Sequence, residues 1–166
     1  MTTAYLKRTI DQEMSKWKNA TSRKPLLLRG ARQVGKSSTV KELGKQFEYF
    51  IEVNFERDDR ELNIKSVFER GLDPKRICEE LSVIYGKPIV QGKTLLFLDE
   101  IQTCIPAISS LRYFHEEFPE LHVIAAGSLL EFVLNAPSFS FPVGRVEFLY
   151  MNPMAFDEYL RGIEQA

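Results

Sequence analysis

The 166-residue sequence has no apolar run long enough to cross a membrane and contains few cysteines and histidines. A membrane-spanning helix needs about 20 consecutive apolar residues, and the amino-terminal stretch lacks the hydrophobic segment of a signal peptide. Cys78 and Cys104 lie outside any C-x-x-C spacing, so we expect buried, reduced thiols rather than a disulfide or a metal centre. These absences argue against membrane and disulfide-rich classes, and we expect a cytoplasmic protein with no membrane partner.

Net charge is also small, at −1, but its distribution is uneven. Residues 1–48 carry 11 Lys/Arg and 4 Asp/Glu, whereas residues 49–166 carry 11 and 19. A basic amino-terminal lobe fits contact with a nucleic acid or an acidic protein partner. More often such a lobe is a solvated surface combined with the basic residues of an anion site, and the sequence leaves both interpretations open.

One glycine-containing stretch, LLLRGARQVGKSSTV at residues 26–40, has the composition of a phosphate-binding loop. Three leucines form a short apolar run typical of a strand buried on both faces. The pattern G-x-x-x-x-G-K-[ST] then follows at Gly30, Ala31, Arg32, Gln33, Val34, Gly35, Lys36 and Ser37, with Ser38 next. An ordinary strand-to-helix turn also contains glycine, so the interpretation depends on the rest of the chain.

Each residue type in this pattern has a physical reason to be there. Gly30 and Gly35 permit backbone conformations in which successive N–H groups turn inward around an anion. A helix that begins near Lys36 points its positive dipole end at the same place. Lys36 is then expected to reach the β- and γ-phosphates of a bound nucleotide, and Ser37 to be a ligand of Mg²⁺.

A second strand-like run, TLLFLDEIQ at residues 94–102, ends in two adjacent carboxylates. At the carboxyl end of a parallel strand beside the first, Asp99 would hold Mg²⁺ and Glu100 would orient and polarise the attacking water. An Asp-Glu pair taken alone is also compatible with a solvated strand end. Together with the glycine-rich loop it favours hydrolysis, because a nucleotide kinase has no need of a water-activating carboxylate.

Five apolar runs alternate with helical patterns along the chain, which predicts a parallel sheet with helices on both faces. Strands are expected at 26–30, 49–56, 121–128 and 146–152, and a further strand within residues 94–102 carries Asp99. Helices are expected at the amino terminus (Leu6, Ile10, Met14 and Trp17 on one face), at 36–47, after Asp73 and Pro74, at 107–117, over SLLEFVLNA, and at the carboxyl terminus with Phe156, Leu160 and Ile163 inward. Trp17 is expected in the core. We therefore divide the chain into an amphipathic helix packed on the core, residues 1–20, and an α/β nucleotide-binding domain, residues 21–166.

The predicted fourth strand ends in Gly127 and Ser128, at the edge where ligands bind in such sheets. Ser128 is therefore placed to hydrogen-bond the attacking water or the γ-phosphate. A serine before the SLLEF helix is also a good N-cap, and the two roles are compatible.

Several of these segments, LLLRGARQVGKSS, LLFLDEIQ, IAAGSLLEF and FPVGRVEFLYMNPMAFDEYL, resemble the predicted P-loop ATPases of the AAA+ class in bacteria and archaea. The resemblance implies a three-layer, five-stranded AAA+ fold, Walker A at Gly30 to Ser37, Walker B at Asp99 and Glu100, and the sensor-1 position at Ser128. It also implies that Arg145 is an arginine finger completing a neighbouring subunit's site in a homo-oligomer. A role within its own chain, or an ion pair with Glu147 or another carboxylate, is nearly as well supported.

The same resemblance implies a helical lid with a second sensor arginine and a carboxyl-terminal domain, for which residues 21–166 offer no counterpart. No motif identifies the adenine pocket, although Tyr5, Arg8 or the segment before the first strand are candidates. The expected function is Mg²⁺-dependent ATP binding and hydrolysis by a nucleotide-driven conformational switch. A nucleotide-gated interaction protein without hydrolysis, and a nucleic-acid-associated ATPase that uses the basic lobe, are the alternatives.

Other P-loop classes fit less well. A GTPase would show an N-K-x-D segment for guanine, and the sequence contains none. A P-loop kinase would carry an arginine-bearing lid, but between Gly92 and Arg145 the only other arginine is Arg112.

Overall fold

A five-stranded parallel sheet runs through the computed structural model, which describes residues 4–137 and 144–164. The strands are β1 (Leu26–Arg29), β2 (Tyr49–Asn54), β3 (Thr94–Asp99), β4 (His122–Gly127) and β5 (Glu147–Tyr150). They lie in the order β2-β3-β4-β1-β5, and each neighbouring pair is parallel. The predicted α/β class with a five-stranded parallel sheet is confirmed.

Helices follow the strands in alternation and cover both faces of the sheet. They are α1 (Ile10–Asn19), α2 (Lys36–Gly44), α3 (Asp59–Leu62), α4 (Lys65–Glu69), α5 (Pro74–Tyr85), α6 (Ile105–Glu117), α7 (Leu130–Leu134) and α8 (Phe156–Glu164), with a 3₁₀ turn at Ile101–Thr103. The short helices α3 and α4 were not predicted, because five or fewer residues are too few to show a helical period.

Two apolar clusters, one on each face, form the core. Along β1 the side chains alternate, so Leu27 belongs to one cluster while Leu26 and Leu28 belong to the other. The first cluster contains buried residues of α4, α5 and α6, and the second contains Met14 and Trp17 of α1 with residues of α2. The molecule therefore has the three layers that the alternating pattern predicted.

The amino-terminal helix was predicted one turn too long. It begins at Ile10, so Leu6 precedes it. Trp17 is buried as expected, and its indole Nε1 donates to the Lys24 carbonyl oxygen at 2.7 Å. The helix after Asp73 is capped as predicted, since the Asp73 side chain accepts from the Lys75 backbone N–H.

The prediction for the last helix was wrong, because α8 turns its apolar side outward. Phe156 is 75% exposed, and Leu160 and Ile163 are also exposed, whereas Glu158 and Gly162 are buried. Glu158 faces inward because backbone N–H groups and a buried arginine surround its carboxylate. Gly162 lies so close to Leu6 that an added Cβ would be 2.7 Å from the leucine side chain, so no larger residue fits there without movement.

Strand limits differ from the predictions by one or two residues, as is usual for strand ends. Residues 138–143 of the predicted loop PSFSFPVGR lie outside the described residues. Cys78 and Cys104 are buried free thiols, and burial raises the pKa of Cys78 to about 12 and that of Cys104 to about 11. Within the two described ranges, no helix has the length and apolar character needed to span a bilayer.

Candidate functional site

A cleft of about 410 Å³ lies at the carboxyl edge of the sheet, where β1, β3 and β4 end side by side. Parallel strands bring their carboxyl ends to one edge, so segments distant in the sequence meet there. The residues that line the cleft are Arg32, Gln33, Gly35, Lys36, Ser37, Ser38, Asp99, Glu100 and Ser128. These are most of the residues that the two sequence motifs and the end of the fourth strand singled out.

The loop between β1 and α2 has backbone conformations that demand glycine at two positions. Gly30 has φ +154° and Gly35 has φ +100°. A Cβ on Gly30 would lie 2.5 Å from the Met151 carbonyl oxygen, so a side chain there would displace the backbone that follows β5. Gln33 also has a positive φ, 62°, which a non-glycine residue adopts only at an energetic cost.

Lys36 begins α2 and folds back across this loop. Its Nζ donates to the carbonyl oxygens of Gly30, at 2.8 Å, and Ala31, at 2.5 Å. Burial lowers the pKa of Lys36, while the nearby carboxylates of Glu100 and Asp99 act in the opposite direction. The ammonium group thus lies between the loop and the two acidic residues that follow β3.

Ser37 and Asp99 join the two motifs directly. The Ser37 hydroxyl donates to Asp99 Oδ2 at 2.6 Å, and the Asp99 side chain is almost fully buried. Burial raises the pKa of Asp99, although the Ser37 hydroxyl and the Glu100 backbone N–H, which donates to Oδ1, favour the ionised form. A hydroxyl and a carboxylate side by side provide the hard oxygen ligands that Mg²⁺ prefers.

Glu100 sits just beyond the strand in a left-handed backbone conformation, with φ 56°. Its Oε2 accepts a hydrogen bond of 2.6 Å from Gln102 Nε2, and its carbonyl oxygen accepts one from the Thr103 hydroxyl. The strained backbone turns the carboxylate away from the line of β3 and into the cleft that Lys36 also lines. Sequence analysis did not identify Gln102, since a glutamine after two acidic residues carries no motif of its own.

Ser128 lies at the end of β4 and is 3% exposed. Its hydroxyl lines the cleft but has no hydrogen-bond partner among the described residues. The predicted N-cap role is not seen, because α7 has Leu129 at its N-cap position and no side chain caps the helix. An unsatisfied buried hydroxyl costs about 1–3 kcal/mol, so Ser128 is a polar group available to a ligand.

The other residues of the predicted phosphate-binding segment differ in their exposure. Ala31, Arg32, Gln33 and Ser38 are exposed, and Arg32 lies 3.8 Å from a Glu56 carboxylate oxygen. Val34 is buried in the core, and its carbonyl oxygen accepts from Arg8 Nη1 at 2.8 Å.

Arg8 is a buried arginine beneath the loop. Its Nη2 donates to the Asn152 carbonyl oxygen at 2.8 Å, and its Nε lies 3.5 Å from Glu158 Oε2. With Tyr5, it also lines a larger groove, of about 1150 Å³, between the amino-terminal segment, α1, α2 and α8. The sequence offered both residues only as candidates for an adenine pocket, and the structural contacts of Arg8 went unforeseen.

Arg145 is not among the residues that line the cleft. Its Nε lies 3.0 Å from Glu116 Oε1 on α6, and its side chain is 41% exposed. The Glu147 carboxylate instead accepts from the Lys24 backbone N–H.

Solved structures share this fold. The Walker-type ATPase PABY2304 of Pyrococcus abyssi matches with a TM-score of 0.61 and 18% identity over 97% of this chain and 57% of that one. The Orc1 protein of Aeropyrum pernix, solved in complex with DNA, matches with a TM-score of 0.56 and 17% identity over 94% and 46%. The chain thus spans about half the length of these proteins, and the likeness is one of fold.

Among curated proteins, no sequence matches the chain significantly. A family model described as an AAA domain, however, matches residues 22–160, which include the loop, both acidic residues and Ser128. This match covers most of the chain, and the sheet order with its cleft agrees with it. The chain belongs to the AAA domain family.

Proposed function

We propose that the chain binds Mg²⁺-ATP in the cleft at the carboxyl edge of the sheet and hydrolyses its β–γ phosphoanhydride bond. The hydrogen bond between Ser37 and Asp99, 2.6 Å long, is the observation that carries the proposal. It brings the hydroxyl at the start of α2 and the acidic end of β3 together beside Lys36 and Glu100. Membership of the AAA domain family and the fold shared with a Walker-type ATPase support it.

The loop between β1 and α2, together with Lys36, would bind the phosphates. The positive φ values of Gly30 and Gly35 let the loop backbone turn so that its N–H groups can face phosphate oxygens. The Lys36 ammonium donates to the Gly30 and Ala31 carbonyls, and a bound triphosphate would offer it charged oxygens instead. Because hydrogen bonds to charged acceptors are the stronger ones, we expect Lys36 to exchange its partners on binding.

The residues present also fit a magnesium ion. Ser37 and Asp99 would hold it, and both side chains already face the cleft. When bound, Mg²⁺ supplies positive charge that neutralises the phosphates of the nucleotide.

Glu100 and Ser128 are the residues we assign to the water that attacks the γ-phosphorus. The Glu100 carboxylate would orient this water and accept its proton. The Ser128 hydroxyl, which is buried without a partner in the described part of the chain, would hydrogen-bond the same water or the γ-phosphate. When hydrolysis removes the γ-phosphate, Lys36 and Ser128 would lose their hydrogen bonds to its oxygens. The loss of these contacts is the basis we propose for a nucleotide-dependent change of conformation.

The test is a phosphate-release assay with ATP and GTP, with and without Mg²⁺, at several protein concentrations. We expect release from ATP that requires Mg²⁺. A Glu100→Gln variant should still bind ATP but release at least about 100-fold less phosphate, because the amide keeps the shape of the side chain but cannot take up the proton. Equal release by this variant and the parent would remove Glu100 from the mechanism.

A homo-oligomer built through Arg145, and a nucleic acid or protein partner for the basic lobe, are further parts of this proposal. The Arg145 side chain is partly exposed, so a neighbouring subunit could contact it. Several cations of the lobe are already paired, including Lys16 with Glu13 and Lys41 with Glu52, which favours a solvated surface. The similar Orc1 protein was solved with DNA, so salt-dependent DNA binding is the measurement that separates the two readings of the lobe.

A further inference from the structure

The Gln102 side chain bridges Glu100 and the end of β4. Its Nε2 donates to Glu100 Oε2 at 2.6 Å. Its Oε1 is buried, and no donor within residues 4–137 and 144–164 reaches it. The amide also lies directly against Gly127, where an added Cβ would overlap Gln102 Oε1.

We propose that Gln102 is a positioning residue for ATP hydrolysis, which holds the Glu100 carboxylate in the orientation that activates water. This inference rests on the proposed ATPase function. It concerns the rate of the chemical step and not the binding of the nucleotide, because Gln102 is not among the residues that line the cleft.

The hydrogen bonds of Glu100 fix its backbone more firmly than its carboxylate. Its backbone is held at two points, since its N–H donates to Asp99 Oδ1 and its carbonyl accepts from the Thr103 hydroxyl. Its carboxylate is held by Gln102 alone among the hydrogen bonds of the described residues. Gln102 occupies Oε2 and leaves Oε1 to accept a hydrogen bond from water, as a general base requires.

The Gln102 amide also lies against the end of β4. Gly127 is followed by Ser128, whose hydroxyl, like Gln102 Oε1, is buried without a partner in the described chain. A side chain at position 127 would occupy the space of the Gln102 amide. The absence of a Cβ at Gly127 is therefore what allows the amide to reach Glu100 from this side.

A buried oxygen without a partner costs stability, and a catalytic role is one reason for a protein to retain it. A core that needed only stability would place an apolar side chain between Glu100 and β4. The glutamine instead keeps its donor on the carboxylate and leaves its own oxygen without a partner. The stability lost at the Gln102 oxygen is thus compensated by a fixed orientation of the Glu100 carboxylate.

The experiment measures kcat and KM for ATP in two substitutions of Gln102. Gln102→Ala removes the amide, and Gln102→Glu keeps the size of the side chain but removes the N–H donor. We expect kcat to fall about 10- to 100-fold in both, as misplacement of a reacting group by about 1 Å does. The KM for ATP and the thermal unfolding midpoint of Gln102→Ala should stay close to those of the parent.

A third variant, Gly127→Ala, tests the same contact from the other side without changing Gln102. The added methyl should push the amide off Glu100 and lower kcat to a similar extent. Gly127→Ala and Gln102→Ala should each remove the same hydrogen bond between Gln102 and Glu100. The double variant should therefore have a kcat no lower than that of the slower single variant. Gly44→Ala is the matched control, because its methyl would meet the Phe50 ring at 2.8 Å, away from the cleft, and should leave kcat unchanged.

A Gln102→Ala chain with the parental kcat, or with a higher one, overturns the positioning role, and so does a change confined to KM. Losses in kcat that add up in the Gly127→Ala and Gln102→Ala double variant would show that the two residues act separately. A parent chain that binds ATP but releases no phosphate overturns the proposed function and this inference with it.

Discussion

Glu158 offers a test of how α8 is held against the rest of the molecule. Its Oε1 accepts from the Thr9 backbone N–H and its Oε2 from the Ala155 backbone N–H, each at 2.8 Å. The Arg8 guanidinium adds an ion pair of 3.5 Å. The substitution Glu158→Gln keeps the shape of the side chain, removes its charge and replaces one acceptor oxygen with an N–H donor that faces other donors.

The magnitude follows from the pKa of Glu158. Burial raises this pKa, but the hydrogen bonds from Thr9 and Ala155 and the charge of Arg8 outweigh it, so that the value falls from 4.5 to about 2. Each pKa unit corresponds to about 1.4 kcal/mol, which sets an upper limit of about 3 kcal/mol for the ionised form. Because glutamine keeps one acceptor, we expect Glu158→Gln to lower the free energy of unfolding by about 1–3 kcal/mol at pH 7.

The pH dependence has a definite sign. A carboxyl group whose pKa is lower in the folded state stabilises the fold above its unfolded pKa and loses this effect as pH falls. The contribution of Glu158 should therefore be complete above about pH 4.5 and disappear towards pH 2. The difference in stability between parent and variant should shrink over the same interval.

The assay is urea unfolding followed by circular dichroism at pH 7, 5, 4 and 3. Glu164→Gln, an exposed glutamate on the same helix, is the matched control and should change stability by less than about 0.5 kcal/mol at pH 7. A Glu158→Gln chain as stable as the parent at pH 7, or a difference that stays constant down to pH 3, would show that the ionised Glu158 carboxylate does not stabilise the position of α8.

Three further predictions concern the candidate site. Lys36→Ala should weaken Mg²⁺-ATP binding at least about 10-fold in calorimetry with an unchanged circular dichroism spectrum, because a charge-assisted hydrogen bond is lost; undiminished affinity would contradict the phosphate assignment. Asp99→Asn should reduce the gain in ATP affinity that Mg²⁺ provides, and an unchanged gain would remove Asp99 as a metal ligand. If Arg145 completes a neighbour's site, hydrolysis per chain should rise with concentration, and Arg145→Ala should lower it about 10³-fold. Adding Glu100→Gln chains should restore it, and no rescue in demonstrably mixed assemblies would count against a role between subunits.

Sequence alone predicted the sheet because its strands are short, largely apolar runs, and three of them, β1, β3 and β4, lead into glycine or acidic residues. β1 and β3 are the clearest cases, each buried and each followed by the polar residues of the cleft. Parallel pairing then brings those residues together, as in the hydrogen bond between Ser37 and Asp99. The sheet order of β1 between β4 and β5 depends on tertiary pairing, which a local pattern does not contain.

The predictions failed where a polar side chain decides the orientation of an element. The period of Phe156, Leu160 and Ile163 marks one side of α8 correctly as apolar, but Glu158 turns the opposite side inward. Gln102 was missed for a related reason, since its role depends on contacts with Glu100 and Gly127 that only the folded chain brings together. The periodicity of a sequence indicates which residues share a face of a helix. In α8, the hydrogen bonds of the buried Glu158 determine which face packs against the rest of the molecule.

Arg8 connects the candidate nucleotide loop to α8 through one buried guanidinium. Its Nη1 donates to the Val34 carbonyl of the loop, and its Nε lies beside Glu158 of α8. Separating a buried charge from its partner costs about 3–5 kcal/mol, so a loop movement that displaces Val34 must carry Arg8 with it or lose that hydrogen bond. α8 turns most of its apolar side chains outward, as the exposure of Phe156 shows, and its Glu158 carboxylate contacts Arg8 and Thr9. The position of α8 is therefore joined to the conformation of the loop that we propose as the phosphate site.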